Sequence, residues 1–433
     1  MTVDVIVEPG SYQCLNMGDV AMMQVAVSRL GALWPHARVA VVTASPDLLS
    51  RFCPTAVPVP ADARYSWLSG RSLAGGLHRR LPKRMSSSLR ELERQLWLRR
   101  PAVTDAAVRL KARLLHFSSA SPSSYRKRLQ EARLLVISGT GHLNDAFADS
   151  ACGLLDEVDA ALRAGVPVVA FGQGIGPITD PALLAKIRSV LPRVALIGLR
   201  EGRCGLPLLE SLGVPRERIH VTGDDAIELA YRLRPAAPGR AIGINFRIAD
   251  YVGFGEDAVD ALRAPLLESA RALNAPFSPA PISLLDSESG ARSIGKLLGD
   301  ETIAARVKID DPADVIRQIG KSRIMVTTSY HGGVFALAQG IPVVALIASS
   351  YYEQKFTGLQ DQFPGGCRIL DFRRSNAPGE LQDAVRDAWE SADRVRGSLL
   401  TAAARQLELS RALYETARCR IPLAAVGPAR AGA

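Results

Sequence analysis

Val166-Pro167-Val168-Val169-Ala170-Phe171 runs directly into Gly172-Gln173-Gly174-Ile175-Gly176-Pro177. An apolar run of strand length that stops in glycines reads as a buried strand ending in a loop. The pattern recurs on both sides. Leu134-Leu135-Val136-Ile137-Ser138 ends in Gly139-Thr140-Gly141, Ala195–Leu199 ends in Arg200-Glu201, and Ile219-His220-Val221 ends in Thr222-Gly223-Asp224-Asp225. Upstream, Val3–Val7 leads through Pro9-Gly10-Ser11-Tyr12 to Asn16-Met17-Gly18-Asp19. Val20, Met23, Val27 and Leu30 then recur at helical steps until Pro35, and Val39–Val42 follows as a strand. Strand–loop–helix–strand units of this kind build parallel sheets.

Arg234-Pro235-Ala236-Ala237-Pro238-Gly239 interrupts the rhythm and reads as a linker. Ala241–Phe246 starts a second series. It continues through Arg306–Ile309, a helix at Pro312–Ile319, a strand at Ile324–Thr328, a helix at Val334–Gln339 and a strand at Pro342–Ile347. Glu380–Thr416 is Ala/Arg/Leu-rich and reads as helix. The expected fold class is α/β, with two Rossmann-like domains facing across a cleft in a GT-B-like arrangement. The expected boundaries are 1–234 for the first domain, on the acceptor side, and 240–377 for the second, on the donor side. A helical segment at 378–420, which by analogy crosses back to brace the first domain, and a disordered tail at 421–433 complete the chain. A basic helical insertion at about 61–130 interrupts the first domain.

At 433 residues, with 47% hydrophobic and 22% charged side chains, the chain has ordinary globular composition and length for two domains. The N-terminus has an acid where a signal peptide would be basic, and no apolar stretch reaches the ~18–20 residues of a membrane span. Six scattered cysteines without a CxxC pair read as free thiols in a reducing compartment, and no Cys/His spacing suggests a metal. The expected location is therefore cytoplasmic. The net charge of +10 is local: residues 71–130 hold fifteen Lys/Arg against three Asp/Glu, and the rest holds 38 against 40. This segment reads either as a solvated basic helix pair or as a face for phosphate-bearing lipid-linked glycans or an anionic membrane at its inner face. Nucleic acid is not expected, because no aromatic interleaving accompanies the charge.

In open parallel sheets, ligands sit beyond the carboxyl ends of the strands. The loops there hold the unusual residues. Asp19 reads as an N-cap or as a group orienting an acceptor hydroxyl. Gly139-Thr140-Gly141, followed by Asp145, resembles a backbone nest for an anion or sugar. Gly172-Gln173-Gly174-Ile175-Gly176 is GxGxG rather than GxGxxG, and no acid ends the next strand, which excludes the dinucleotide fingerprint. Arg200 reads as a fork for a carboxylate or phosphate, or as a surface partner of Glu201 or Glu210. His331, in Ser329-Tyr330-His331-Gly332-Gly333, is expected at a strand tip, where an imidazole suits general acid chemistry. Lys355 offers a second cation or is a surface neighbour of Glu353. Asp19, Asp145 and Asp224 are the candidate bases.

The ordered set Asn16-x-Gly18-Asp19, Ser138-Gly139-Thr140-Gly141, Gly172-Gln173-Gly174-Ile175-Gly176-Pro177, Leu199-Arg200-Glu201, Gly223-Asp224-Asp225, Ser329-Tyr330-His331-Gly332, Gly340-Ile341-Pro342, Tyr352 and Lys355 resembles the polysaccharide pyruvyl transferase family. The resemblance implies transfer of an enolpyruvyl-derived group from phosphoenolpyruvate, as donor substrate, to a sugar of a polysaccharide or lipid-linked glycan. The product is a pyruvate ketal, without metal or cofactor. It implies His331 as general acid or phosphate contact and Arg200 as carboxylate or phosphate clamp, with Asp19 beside them. Loop position and resemblance together give Asn16, Gly18, Gly139, Thr140, Gly141, Asp145, Gln173, Gly174, Asp224, Arg247, Ser329, Tyr330, Gly332, Gly333 and Lys355 as the expected substrate-binding set. One departure stands out. Many members place an arginine two residues before the histidine, where this chain has Ser329, so a cation is expected from Arg247, Arg203 or Lys355. The alternatives are a nucleotide-sugar glycosyltransferase of GT-B type and a non-catalytic glycan-binding relative. Against the former, Val334–Gln339 carries no acid to grip a donor ribose.

Overall fold

Strand β4 (Leu134–Ser138) lies at the centre of a seven-stranded sheet in a computed structural model of the protein. The structure describes residues 4–61, 74, 80–114, 122–249, 251–255, 257–285, 289–300, 302, 307–374 and 376–423. The first sheet comprises β1 (Val5–Pro9), β2 (Val39–Thr43), β3 (Val57–Pro60), β4, β5 (Val168–Gln173), β6 (Leu196–Leu199) and β7 (Ile219–Val221). Its order is β3-β2-β1-β4-β5-β6-β7 and every pairing is parallel. The second sheet comprises β8 (Ala241–Asn245), β9 (Phe277–Pro279), β10 (Ser322–Thr327), β11 (Val343–Ile347) and β12 (Cys367–Asp371), ordered β12-β11-β10-β8-β9 and also parallel.

The central strands are buried on both faces, which is why they read as unbroken apolar runs. One apolar core continues from the first sheet into the second, through Met17 and Val20 of one half and Ile242, Ile282 and Val326 of the other. A separate core covers the outer face of the first sheet, with Leu135, Ile137, Leu155 and Ile187. Among the described residues, the helices Lys83–Arg99, Pro101–Leu114 and Pro122–Glu131 lie between β3 and β4.

The helix Ala377–Arg420 is 44 residues long and touches both halves. Near its start, Asp387 and Asp393 pair with Arg368 of β12 and Arg323 of β10, and Arg396 donates to the carbonyls of Gln339 and Pro235. Near its end, Ser410 and Tyr414 donate to Asp225 at 2.6 and 2.8 Å, and the Tyr414 ring stacks on Phe171 of the first sheet at 3.7 Å. Arg29 closes this network through Glu228 and Ser410.

Several expectations are corrected. Of the element expected at Arg306–Ile309, residues 307–309 are irregular, with Lys308 pairing with Asp310, and residue 306 lies outside the described residues. The helix expected at Val334 starts at Tyr330. The tail from 424 onward lies outside the described residues. Among the described residues no helix is long and apolar enough to cross a membrane.

Candidate active site

The carboxyl ends of both sheets point into one cleft, and the side chains singled out above meet there. Arg200 follows β6 directly, Asp224 follows β7, and His331 lies in the first turn of Tyr330–Ala338, on the second sheet. Asp224 Oδ2 is 3.7 Å from Arg200 Nη1 and 3.8 Å from His331 Nε2, so one carboxylate oxygen faces both groups across the cleft. The other oxygen accepts the Ala226 N–H at 2.9 Å. The Arg200 guanidinium lies over the Tyr330 ring at 4.3 Å. Arg200 is 2% exposed and His331 7%, which removes the surface-pair reading of Arg200.

Arg200 Nη2, Asp224 Oδ2, Tyr330 Oη and His331 Nε2 are buried and have no hydrogen-bond partner among the described residues. Buried polar atoms are nearly always satisfied. A cluster of four that are not is the signature of a site built for a polar ligand.

Two more cations reach this cluster. Lys355 sits on Ser350–Gln362 one turn after Tyr351 and contacts its hydroxyl. That hydroxyl in turn donates to the Gly141 carbonyl at 3.1 Å. Arg247, just past β8, donates from Nη2 to Ser283 Oγ at 3.0 Å, while its backbone N–H donates to Thr328 Oγ1. Arg203, the third candidate, is excluded: it forks onto Asp361 at the exposed surface.

Burial pushes the His331 imidazole well below its usual pKa, and the positive charges of Arg200, Lys355 and Arg247 push it further. Burial likewise drives Lys355 down, helped by Arg200 and opposed by Asp19. Asp19 and Asp224 are raised to about 6 by burial, against the pull of Lys355, Arg200 and Arg247 on the first and of Arg200 on the second. The resting site thus sets the Arg200 and Arg247 guanidiniums around two carboxyls raised to about 6, beside an imidazole and an amine that burial pushes toward their neutral forms.

Beside the cluster is a cavity of about 350 Å³ lined by Glu8, Tyr12, Asn16, Asp19, Thr140, His142, Phe147, Arg247 and Tyr251, among others. Asp19 and Arg247 line the cavity and also act electrostatically on the cluster. The aromatic rings His142, Phe147 and Tyr251 form a contiguous chain with centroid separations of 4.9 and 5.7 Å.

The glycines serve a purpose different from the expected anion nest. The N–H groups of Gly139 and Gly174 donate to the carbonyls of Phe171 and Thr140, so they are not presented to a ligand. What matters is the missing Cβ. A methyl group at position 141 or 174 would collide with the Arg200 guanidinium, and one at position 18 would overlap the His331 ring. Gly332 and Gly333 are likewise packing positions, against Thr327 Oγ1 and Phe356.

Other expected ligand contacts are structural as well. Asn16, not Asp19, caps the first helix by accepting the Gly18 N–H at 3.0 Å. Asp145 is fully engaged by Thr179 and the Asp180 N–H, and these bonds hold its pKa down against the effect of burial. Gln173 bridges the carbonyls of Ile137 and Phe171. Ser329 opens the helix, its N–H donating to Thr327 Oγ1. Three contributors were not expected. Glu201 accepts from Gln354 of the second half at 3.2 Å while capping Gly205–Ser211. Tyr351 and the cavity acid Glu8 complete the set; the one sequence signal for Tyr351 is its i,i+4 spacing to Lys355.

The elevated Asp19 pKa carries a stability prediction. A carboxyl raised above the 3.8 of free aspartate contributes most below that pH, and its contribution is lost as pH rises through about 6. Asp19→Asn is therefore expected to melt at a higher temperature than the parent at about pH 8, by roughly 3 kcal/mol of stability, with the gap closing near pH 4. Equal melting shifts at both pH values would refute the assignment.

A family model described as polysaccharide pyruvyl transferase matches residues 16–350. No curated protein matches the chain. Among solved structures the chain is similar to a putative UDP-N-acetylglucosamine 2-epimerase from Listeria monocytogenes, at 10% identity and TM-score 0.57 over 98% of this chain and 97% of that one. It is also similar to an S. aureus MnaA structure with UDP, at 13% identity and TM-score 0.55 over 99% of each chain. A third, a glycotransferase of kitacinnamycin, gives 12% identity and TM-score 0.50 over 97% and 100%. At such identities the likeness shows the fold alone, a GT-B-like pair of α/β domains facing across a cleft.

Proposed function

The chain belongs to the polysaccharide pyruvyl transferase family, a family of transferases acting on glycans, and from that premise we propose that it moves an enolpyruvyl-derived group from phosphoenolpyruvate to a sugar of a polysaccharide or lipid-linked glycan. The product is a pyruvate ketal bridging two hydroxyls, and the co-product is inorganic phosphate. The observation that supports this reading is the convergence of Arg200, Lys355 and Arg247 on His331, Asp19 and Asp224. Phosphoenolpyruvate carries a phosphate and a carboxylate, and two buried guanidiniums with a lysine amine beside them suit both. The cation expected in place of Ser329 is then supplied by Arg247 and Lys355.

In the proposed sequence His331 protonates C3 of the donor, turning the methylene into a methyl group. An acceptor hydroxyl oxygen bonds to C2 and gives its proton to Asp19, which lines both the cavity and the cation cluster. The C2–O bond to phosphate then breaks with the electron pair leaving on phosphate, a second hydroxyl oxygen bonds to C2 in its place, and the proton of that hydroxyl passes to the departing phosphate. Nothing is oxidised or reduced, and no metal or cofactor enters.

Burial first, and the surrounding cations second, hold the resting imidazole in its neutral form. A donor bearing a phosphate and a carboxylate offsets that field, so His331 gains proton affinity when it binds. Calorimetry of phosphoenolpyruvate binding near neutral pH, in buffers of different ionisation enthalpy, is therefore expected to show net proton uptake. Binding of UDP- or GDP-sugars but not of phosphoenolpyruvate would replace this reading with the glycosyltransferase one. Sugar binding without phosphate release from any donor–acceptor pair would leave a non-catalytic glycan-binding protein.

A further inference from the structure

The helices Lys83–Arg99 and Pro101–Leu114 each turn an apolar stripe outward. On the first, Met85, Leu92 and Leu96 are 57%, 66% and 38% exposed; on the second, Val103, Leu110 and Leu114 are 57%, 59% and 69% exposed. Both sets fall at i, i+7 and i+11, so each runs along one line of its helix for about 16 Å. Elsewhere among the described residues only Leu409 is a large hydrophobic with comparable exposure.

These are not core stripes left slightly open. The inward face of the second helix carries Thr104, Asp105 and Val108, all buried, so the outward Val103, Leu110 and Leu114 lie on the side away from its packed face. The pair is anchored as well. The following helix, Pro122–Glu131, buries Tyr125 and Leu129, and the Tyr125 hydroxyl donates to Glu157 Oε2 at 3.1 Å. Lys111 and Arg113 lie about 80° to either side of the second stripe, given ~100° per residue. Arg99, Arg100 and Arg113 are exposed. Aliphatic side chains flanked by long cationic ones are the composition that enters the headgroup–acyl boundary while the charges reach lipid phosphates.

We propose that these two helices form an in-plane docking face for an anionic bilayer surface. Charge complementarity favours this occupant: fifteen Lys/Arg against three Asp/Glu over residues 71–130 attract an acidic leaflet and repel a second copy of the same face. A nucleic acid backbone would be met by the cations alone and gives the leucines nothing to bury against. The inference does not depend on the donor, and it bears on the acceptor, because a lipid-linked glycan would be presented at that surface.

The test is co-sedimentation of the full chain with vesicles of phosphatidylcholine alone or with added phosphatidylglycerol, at low and high salt. Binding is expected only with phosphatidylglycerol and is expected to weaken as salt rises. Arg113→Ala should weaken it about fivefold. Leu92→Glu/Leu110→Glu should weaken it at least about tenfold while melting normally. Absence of binding at low salt, or binding indifferent to the double substitution, overturns the proposal. So does a concentration-dependent dimer in sedimentation velocity that Leu110→Glu dissolves, which would assign the stripes to a second copy. Phosphate release is read separately, so failure here leaves the donor assignment untouched.

Discussion

Arg200→Ala is expected to lower kcat/KM for phosphate release from phosphoenolpyruvate by about 10³-fold or more, the scale of losing a preorganised donor to a developing anion. The guanidinium is held by Asp224 from one side, covers Tyr330, and fits the space left by Gly141 and Gly174. Its Nη2 has no other partner among the described residues. Arg200→Lys should rescue little, because an ammonium cannot fork and the space is shaped for a plane. Removing Arg200 also strands Asp224, so some destabilisation is expected and must be separated from lost chemistry. Melting curves supply that control: a well-folded Arg200→Lys protein that still turns over within about threefold of the parent would remove Arg200 from the mechanism.

The second large effect comes from a single methyl group. Alanine is ordinarily better than glycine in a helix by up to ~1 kcal/mol. Gly18 lies in the first helix, so Gly18→Ala would be stabilising if local propensity decided. Here the new Cβ overlaps the His331 ring, which reaches it from the other half of the molecule. Gly18→Ala is expected to destabilise by about 1–3 kcal/mol and to lower turnover about 10²-fold or more, as a displaced catalytic group would. His331→Ala alone should lower turnover by a similar factor. The double variant gives the decisive comparison. If the methyl acts through the imidazole, Gly18→Ala/His331→Ala should be no slower than His331→Ala and should recover part of the lost stability. Additive losses would mean that Gly18 and His331 act independently.

Much of this fold was legible because its parallel strands are buried on both faces and read as apolar runs. The strands that escaped detection, β3, β9 and β12, are all sheet edges. Val57-Pro58-Val59-Pro60 carries two prolines, which an edge tolerates and a central strand does not. Phe277–Pro279 is only three residues long, and Cys367–Asp371 exposes Arg368. At the site, the residue types and their strand-end positions were readable, and Arg200, Asp224 and His331 do converge. The work of the glycines was not readable. Gly18, Gly141 and Gly174 suggested backbone approach to a ligand, but the groups they accommodate are side chains distant in sequence. Asp145 and Gln173 sat in suggestive motifs, yet their partners lie in loops and strand ends that only the folded chain brings near.

The long C-terminal helix has a further mechanical meaning. The two halves are tethered twice, by the short linker at 234–240 and by a rigid rod whose far end grips Asp225. The rod holds Asp225, the neighbour of Asp224, so the carboxylate that faces the imidazole opposite is anchored to the same helix that pairs with the second sheet.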